Sequence, residues 1–466
     1  MSKMGINCTD YLFFHKYADF FVYDKRSAYL YPIDILHFEI GEELKDVFQH
    51  SGVTLNVQHF IQNKKEYDAS IVREHYDFIL NLLSESKHAA NIAIIPISES
   101  DIINSISIVP HIVVEVTERC NFSCNYCYYG GMYDTIPESE QRIQDMPEED
   151  CLQCLRELLI RKNVLYSNKA VISFYGGEPF LNFRLIRKIV SLCREEFPEI
   201  EFQFRTTTNG SLLKTHIEFL KEHDFHILVS IDGDKQSDIH RCYSNGRQAF
   251  TDVKENIDYL YNEYRDYFLS NIEFISVLHR DSDIISICRF FSRYEKTPLL
   301  TNLSTEGIIA NKQMVFPYEG VDHQEMQTLY NTNRSIYDLI KQAGKETLSI
   351  NRQFSNTDKF SPRGCYLFAN KIFLAANRQI YLCEKSSRKF PFGSFSNNHL
   401  RFYVNEINHY YNDFDKVVRN ECPDCSLHYM CDRCFFEEPS LMIAPLKCKL
   451  PETNIRERLI KSLEHE

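Results

Sequence analysis

Strand-like and helical segments alternate regularly from residue 111 to about residue 305 of this chain. Each apolar run of strand length is followed by a segment with the apolar period of a helix. Neighbouring parallel strands are joined by helical crossovers, and these crossovers are right-handed. The alternation therefore predicts an α/β fold with six βα units and a parallel sheet. The predicted strands are 111–116, 169–175, 201–206, 226–231, 272–278 and 299–304, and helical patterns lie near 147–162, 183–196, 214–223, 248–264 and 284–294.

Composition narrows the class of protein. A chain of 466 residues with 44% hydrophobic residues can form two to four domains with a sizeable core. Its net charge of −13 argues against a nucleic-acid partner, since a phosphate-binding surface is usually basic. No apolar run has the length of a membrane span, and the N-terminus lacks the apolar segment of a signal peptide. We expect a cytoplasmic protein with no membrane partner.

Three of the 16 cysteines lie in one short loop directly after the first predicted strand: Cys120, Cys124 and Cys127. Cluster irons are usually held by four thiolates, so three cysteines can hold three irons and leave the fourth open. The alternative is a structural zinc site, but zinc prefers four protein ligands and no fourth cysteine or histidine is nearby. Cys151 and Cys154 form a second close pair, but they fall on one apolar helix face and are expected in the core.

Polar and glycine-rich motifs end the next three predicted strands. Gly176, Gly177 and Glu178 follow the second strand, where glycines permit close backbone approach and a carboxylate can accept hydrogen bonds from an ammonium group. Asn209 follows the third strand, and Ser230 lies at the end of the fourth. Each motif also fits an ordinary turn, because Asn-Gly and Asp-Gly are common turn dipeptides. The carboxyl ends of parallel strands are where active sites of such barrels lie.

The spacing of the loop cysteines, with Tyr126 just before the last one, resembles the signature of the radical S-adenosylmethionine (SAM) superfamily. The resemblance implies a partial (β/α)6 barrel whose 4Fe–4S cluster binds SAM and cleaves it to a 5′-deoxyadenosyl radical. It also implies that Gly176, Gly177 and Glu178 receive the amino group of SAM, and that Asn209 and Ser230 lie near its ribose and carboxylate. Arg241 resembles a family arginine that meets the SAM carboxylate, although a solvated surface arginine is the alternative. The residues implied to bind the cofactor are Tyr126, Gly176, Gly177, Glu178, Asn209, Ser230 and Arg241.

A second group of cysteines lies in residues 361–450 and resembles the SPASM domain of peptide-modifying radical SAM enzymes. The resemblance implies two auxiliary 4Fe–4S clusters, and it departs from the family in the spacing of Cys431 and Cys434 and in Arg378, where a glycine is usual. A zinc ribbon is the alternative, although its cysteine pairs are typically separated by a longer loop. By resemblance, Cys422, Cys425, Cys431 and Cys448 hold the distal cluster, and Cys365, Cys383 and Cys434 hold the nearer one.

The remaining segments complete the predicted organisation. Residues 1–105 form a small α+β module with aromatic strands at 11–14, 20–23 and 28–31, ahead of the radical SAM core at 106–305. Residues 306–360 form a helical connector with a helix at 324–341, and residues 451–466 form a helical tail. The N-terminal module resembles a precursor-peptide recognition domain, which adds a leader peptide as an extra strand. Ordinary core packing also explains its aromatic strands.

The combined resemblance implies a SPASM-type peptide maturase that crosslinks a ribosomally made peptide. Its partners are expected to be a precursor peptide and an electron donor such as flavodoxin or ferredoxin. In the implied reaction, a carbon radical couples to a cysteine sulfur or to another carbon, and an auxiliary cluster takes the spare electron. An open auxiliary iron could hold the substrate thiolate.

Two other functions remain open at this stage. An anaerobic sulfatase-maturating enzyme, which makes formylglycine, carries an aspartate base directly after the second SPASM cysteine. This chain has Glu384 at that position, and glutamate can also act as a base. The chain could instead be a non-catalytic iron–sulfur electron carrier or binding protein.

Overall fold

The fold is described from a computed structural model of the chain. The structure describes residues 11–16, 19–24, 29–51, 55–84, 97–130, 144–303, 315–316, 334, 366–368, 370–396 and 399–421. The predicted connector helix at 324–341 lies outside these residues except for position 334, and so does the predicted tail at 451–466. The same is true of six of the SPASM-like cysteines: Cys365, Cys422, Cys425, Cys431, Cys434 and Cys448.

Six parallel strands form the centre of the main sheet and lie side by side in chain order. Their inward side chains are apolar and buried, as in β5, where exposed or half-buried positions alternate with buried ones. This arrangement confirms the predicted α/β fold with a central parallel sheet. The strands are β4 (His111–Thr117), β5 (Lys169–Gly176), β6 (Glu201–Thr208), β7 (His226–Ser230), β8 (Ile272–Leu278) and β9 (Leu299–Asn302).

Helices connect these strands and bury apolar faces against the sheet. Cys151 and Cys154 are both buried on the first of them, which confirms that this close pair belongs to the core. Asp283 caps the last one by accepting hydrogen bonds from the backbone N–H groups of Ile285 and Ser286. Their bounds are α5 (Glu148–Ile160), α6 (Phe183–Glu196), α7 (Leu213–Glu222), α8 (Phe250–Glu263), α9 (Arg265–Asn271) and α10 (Ile284–Ser292), with a 3₁₀ turn at Pro179–Asn182.

Four more strands extend the same sheet beyond β4, and the sequence analysis did not predict them. They are β10 (Ile372–Leu374), β11 (Gln379–Tyr381), β12 (Gly393–Ser396) and β13 (His399–Phe402). The first pairs in parallel with β4, and the others follow as antiparallel neighbours. Part of the predicted SPASM-like region is therefore continuous with the sheet of the predicted core, and α11 (Val404–Glu421) follows it.

Arg378 lies in the turn between β10 and β11 with a left-handed φ of 64°. Left-handed backbone is unfavourable for residues with a Cβ by about 1–2 kcal/mol, which explains why a glycine is usual at this position. The side chain of Arg378 donates a hydrogen bond of 2.7 Å to Asp150 at the start of α5. This contact offsets part of the backbone strain.

The N-terminal residues form a separate three-stranded antiparallel sheet with helices packed on it. Gly41 allows α1 to approach the sheet, because a Cβ there would lie 2.2 Å from the ring of Phe13. This arrangement agrees with an α+β module. Its elements are β1 (Tyr11–Lys16), β2 (Asp19–Asp24), β3 (Tyr29–Ile33), α1 (Ile35–Ser51), α2 (Val57–Asn63) and α3 (Ala69–Ser84).

Helix α4 (Glu99–Ile108) leads into the main sheet and begins with a capping box between Ser98 and Asp101. Its buried Ile102 and Ile106 belong to the main core. Among the described residues, no helix is long and apolar enough to cross a membrane.

Candidate active site at the cysteine loop

The three-cysteine loop begins where β4 ends, at the carboxyl edge of the parallel strands. Backbone hydrogen bonds hold it against the segment around residue 240: Ser123 N–H donates to Cys242 at 2.7 Å and Asn125 N–H donates to His240 at 3.0 Å. Within the loop, the Cys127 N–H donates to the Cys124 carbonyl at 3.1 Å. The loop is therefore fixed from outside as well as by its own turn.

None of the three loop cysteines forms a disulfide bond with another described residue. Burial raises the pKa of Cys120 to about 11 and that of Cys124 to about 12. Burial also raises the pKa of Cys127, and the nearby Arg241 opposes this effect at both Cys124 and Cys127. A positive charge favours the thiolate, which is the form that binds metal.

The donor set fits an iron–sulfur cluster better than a single zinc ion. In the described part of the chain, two groups of at least three histidine, cysteine or carboxylate residues have all their ligand atoms within 4.8 Å of one another. The three loop cysteines form no such group, so their sulfurs are spaced more widely. One tetrahedral zinc ion with sulfur ligands at about 2.3 Å requires sulfurs closer together than this. A cluster binds each cysteine through a different iron and accommodates the wider spacing.

Gly176 and Gly177 pack against the backbone that leads into the loop. A Cβ at Gly176, where φ is 145°, would lie 2.0 Å from the carbonyl oxygen of Thr117. A Cβ at Gly177 would lie 2.4 Å from the carbonyl oxygen of Arg119. The close approach lets Gly177 N–H donate to Thr117 at 2.9 Å and Glu178 N–H donate to Arg119 at 2.8 Å. In the structure these glycines position the cysteine loop, a role that the sequence analysis did not predict for them.

Glu178 is completely buried and accepts three hydrogen bonds. The donors are the Thr208 hydroxyl at 2.8 Å, the Asn209 N–H at 2.7 Å and the Phe180 N–H at 3.1 Å. Burial nevertheless raises the pKa of Glu178 to about 7, because desolvation outweighs these donors. A buried carboxylate of this kind can bind an ammonium group, and its binding to the SAM amino group stays a prediction.

Asn209 connects the third strand end to the cysteine loop. Its side-chain amide donates to Asn121 Oδ1 at 2.8 Å and lies 3.9 Å from the Cys120 sulfur. The Asn209 side-chain oxygen accepts from the N–H and the hydroxyl of Ser211. Ser230 is half-buried at the end of β7, at the same edge of the sheet. The structure thus brings Glu178, Asn209 and Cys120 together, as the strand-end pattern predicted.

Tyr126 and Arg241 belong to a buried polar network behind the loop. The Tyr126 hydroxyl donates to Asp232 and accepts from Arg241 Nη1 at 3.3 Å. Arg241 also pairs with Asp238 at 3.6 Å, and its side chain is only 7% exposed. This burial excludes the alternative of a solvated surface arginine. Burial raises the pKa of Asp238 to about 8, against the opposing charge of Arg241.

Described residues of the SPASM-like region also contact the cysteine loop. The Tyr128 hydroxyl donates to the Lys385 carbonyl at 2.7 Å, two residues after Cys383. Arg388 forms an ion pair of 2.7 Å with Glu115 on β4, and both side chains are buried. The loop is therefore held by contacts with both the residue-240 segment and the segment that carries Cys383.

Glu384, the candidate base, is held in a bidentate ion pair. Lys371 Nζ lies 3.0 and 3.1 Å from its two carboxylate oxygens. The next residue, Lys385, contacts Tyr128 of the cysteine loop, so Glu384 lies in a segment that touches this loop. A catalytic role for Glu384 stays a prediction.

Several polar residues of this site were not found by sequence reasoning. Asp232 follows Ser230 within a motif that was recognised, so its polarity at a strand end was an available signal. Asp238 lies three residues before Arg241, a spacing that the sequence analysis did not use. Glu115 and Arg388 are 273 residues apart, and only the folded chain makes them partners.

Residues 114–290 match the model of the radical SAM superfamily and form a radical SAM domain. A radical SAM cyclopropyl synthase, TigE of Paramaledivibacter caminithermalis, is 28% identical over 173 residues, which are 36% of this chain and 35% of TigE. A serine-type anaerobic sulfatase-maturating enzyme of Klebsiella aerogenes is 26% identical over 164 residues, which are 34% of this chain and 38% of that enzyme. The chain spans about half or less of the length of the curated relatives it matches.

Among solved structures, native anSMEcpe with bound AdoMet matches with a TM-score of 0.54 and 16% sequence identity, over 76% of this chain and 97% of that chain. The same protein with AdoMet and the Cp18Cys peptide matches with a TM-score of 0.52 and the same identity and coverage. At this identity the likeness establishes the fold.

Proposed function

We propose that this chain is a radical SAM enzyme that modifies a ribosomally made peptide. The observation that carries the proposal is the convergence of the three-cysteine loop, Glu178 and Asn209 at the carboxyl edge of the parallel strands. A 4Fe–4S cluster bound by Cys120, Cys124 and Cys127 would supply a 5′-deoxyadenosyl radical from SAM. The chain's own residues fix the loop, offer a carboxylate to the SAM ammonium group and favour the thiolates through Arg241.

The peptide substrate is supported by two kinds of likeness. The radical SAM domain is similar to a cyclopropyl synthase and to a sulfatase-maturating enzyme. The fold is that of a protein solved with AdoMet and a peptide. We propose a thioether or a carbon–carbon crosslink as the product. The precursor peptide, an electron donor of the flavodoxin or ferredoxin class and two auxiliary clusters in residues 361–450 belong to the same proposal.

Iron and sulfide content after anaerobic reconstitution tests the cofactor part of the proposal. We expect about twelve irons per chain in the wild type and about eight in a Cys120→Ala/Cys124→Ala/Cys127→Ala variant, since each cluster contains four irons. A matched Cys151→Ala/Cys154→Ala variant changes two cysteines of the core and should keep about twelve irons. About four irons together with zinc would contradict the two auxiliary clusters.

Peptide mass tests the reaction. The reconstituted enzyme with SAM and reductant should release 5′-deoxyadenosine and lower the mass of a cysteine-bearing peptide encoded beside the gene. The triple cysteine variant should do neither. Cleavage of SAM with every candidate peptide unchanged would contradict the substrate class while leaving the radical SAM chemistry intact.

Sulfatase maturation is the second candidate, favoured by the similarity to the Klebsiella enzyme. Its proposed base, Glu384, is bound through both oxygens by Lys371, so proton transfer to it competes with that ion pair. A loss of about 2 Da with a new carbonyl on a sulfatase peptide, abolished by Glu384→Gln, would favour this candidate over crosslinking.

A further inference from the structure

Two histidines and an aspartate converge beside the cysteine loop. His240 precedes Arg241, while His279 and Asp281 belong to the turn that follows β8. Each offers one ligand atom, and the three atoms lie within 4.8 Å of one another. The rings of the two histidines are 4.5 Å apart. We propose that His240, His279 and Asp281 bind a divalent transition-metal ion.

His279 is prepared as a ligand by its own hydrogen bond. The residue is completely buried, and its Nε2 lies 3.1 Å from the carbonyl oxygen of Ser237. A carbonyl only accepts, so Nε2 carries the proton and Nδ1 presents a bare lone pair. Nδ1 is buried and has no hydrogen-bond partner. Metal-bound histidines almost always donate their other N–H in this way, and a buried lone pair without a partner is otherwise unfavourable.

His240 presents a second buried nitrogen without a partner. Its side chain is 12% exposed, and Nε2 lies 3.7 Å from Asp281 Oδ2, too far for a hydrogen bond. Its Nδ1 lies 3.3 Å from the side-chain amide of Asn125. Rotation of that amide by half a turn places its oxygen there, so that Nδ1–H donates and Nε2 is free to bind a metal.

Asp281 supplies the charge and the route of entry. Its side chain is 54% exposed, whereas that of His240 is 12% exposed and His279 is completely buried, so the site opens to solvent on the aspartate side. A tetrahedral site with bonds of about 2.0–2.1 Å brings its ligand atoms to about 3.3 Å from one another. The exposed Asp281 side chain can rotate to make this adjustment. Two imidazoles, one carboxylate and an open position suit zinc or ferrous iron.

The position of the site indicates what a bound metal would do. The carbonyl of His240 accepts the N–H of Asn125, which lies between Cys124 and Cys127 in the loop. A metal would join the residue-240 segment to the turn after β8, and so hold this contact in place. The site contains no cysteine, so its occupancy is separate from that of the cluster.

Zinc binding to the reconstituted full chain tests the proposal. After desalting, the holoenzyme is incubated with zinc and analysed for metal content and by X-ray absorption at the zinc edge. We expect one zinc per chain with only nitrogen and oxygen ligands at about 2.0–2.1 Å. A sulfur shell at about 2.3 Å, which marks cysteine-bound zinc, would overturn the proposal, as would the absence of bound zinc.

Two variants and a thermal readout separate a true site from general binding. Asp281→Asn and His240→Gln change partly accessible side chains, and each should weaken zinc affinity at least tenfold. Loss of a residue that only supports a metal ligand already lowers metal affinity by about tenfold or more, so loss of the ligand itself should cost at least as much. The control, Glu263→Gln, changes an exposed carboxylate on α8 outside the group and should bind like the wild type. Zinc should raise the melting temperature of the wild type and control, but not of the two ligand variants. Equal zinc affinity or an equal thermal shift in all four proteins would overturn the proposal.

Discussion

Replacing Gly177 with alanine should disable the cysteine loop without unfolding the protein. The new Cβ would lie 2.4 Å from the Arg119 carbonyl oxygen and 2.7 Å from that of Glu118, whereas ordinary contact begins at 3.4 Å. The backbone next to Cys120 must therefore move by about 1 Å. It cannot move freely, because Glu118 N–H donates to Gln144 at 2.9 Å and Arg119 makes a two-bond ion pair with Asp145.

The expected cost falls on chemistry more than on stability. Overpacking of this kind typically destabilises a fold by about 1–3 kcal/mol. A displacement of about 1 Å at a reacting centre can lower a rate about 100-fold. We therefore expect Gly177→Ala to fold, and to release 5′-deoxyadenosine from SAM about 100-fold more slowly per bound cluster.

The assay is anaerobic formation of 5′-deoxyadenosine, divided by the iron content of each protein, with urea unfolding in parallel. Gly246→Ala is the matched control, because Gly246 has a left-handed φ of 82° but nothing within 4 Å of a new Cβ. It should lose about 1 kcal/mol of stability from backbone strain and keep the wild-type rate. Wild-type SAM cleavage by Gly177→Ala at full cluster content would refute the reasoning.

Three further predictions concern buried groups. Glu115→Gln or Arg388→Met alone should lower the free energy of unfolding, measured in urea, by about 3–5 kcal/mol, because a single change leaves a buried group without its partner. The double variant should lower it by less. Equal losses in all three variants would contradict this prediction. The pKa of Glu178 is about 7 in the folded chain and near 4.5 in the unfolded chain. The protonated side chain therefore contributes to stability below pH 4.5, and about 3 kcal/mol of this contribution is lost as the pH rises through 7. Glu178→Gln should remove this pH dependence from the unfolding free energy, and an unchanged profile would contradict the assigned pKa. The Cys151→Ala/Cys154→Ala variant should have a lower melting temperature, because both side chains are buried. Its rate of SAM cleavage per bound cluster should be unchanged. A lower rate would mean that these cysteines are not simply core residues.

The parallel strands could be predicted because each contains an apolar run, and five of the six end in glycine or a small polar residue. The same local signal placed Cys151 and Cys154 in the core of a helix, where both are buried. Strand ends were less accurate: the third strand extends to Thr208 rather than 206, and the sixth ends at Asn302 rather than 304. Pairing along a sheet adds or removes end residues that local pattern alone does not specify.

Long-range partners were beyond a single sequence. Nothing local to Ile372 indicates that it pairs with Ile112, or that Arg388 reaches Glu115. The buried position of Arg241 was also undetermined, because arginine is usually exposed and its partner Tyr126 is 115 residues away in the chain. By contrast, Arg378 departs from the usual glycine in the sequence, and its positive φ accounts for that preference.

The pairing of β10 with β4 has a consequence for how the chain is made. Leu374 lies beside Val114, so roughly 260 residues are synthesised between the two strands, which takes about 13–50 s at typical ribosome speeds. During that interval one edge of β4, the strand that carries the cysteine loop, has no neighbour and is open to pairing with other chains. Assembly of the loop's final surroundings must therefore wait until residues 372–388 leave the ribosome.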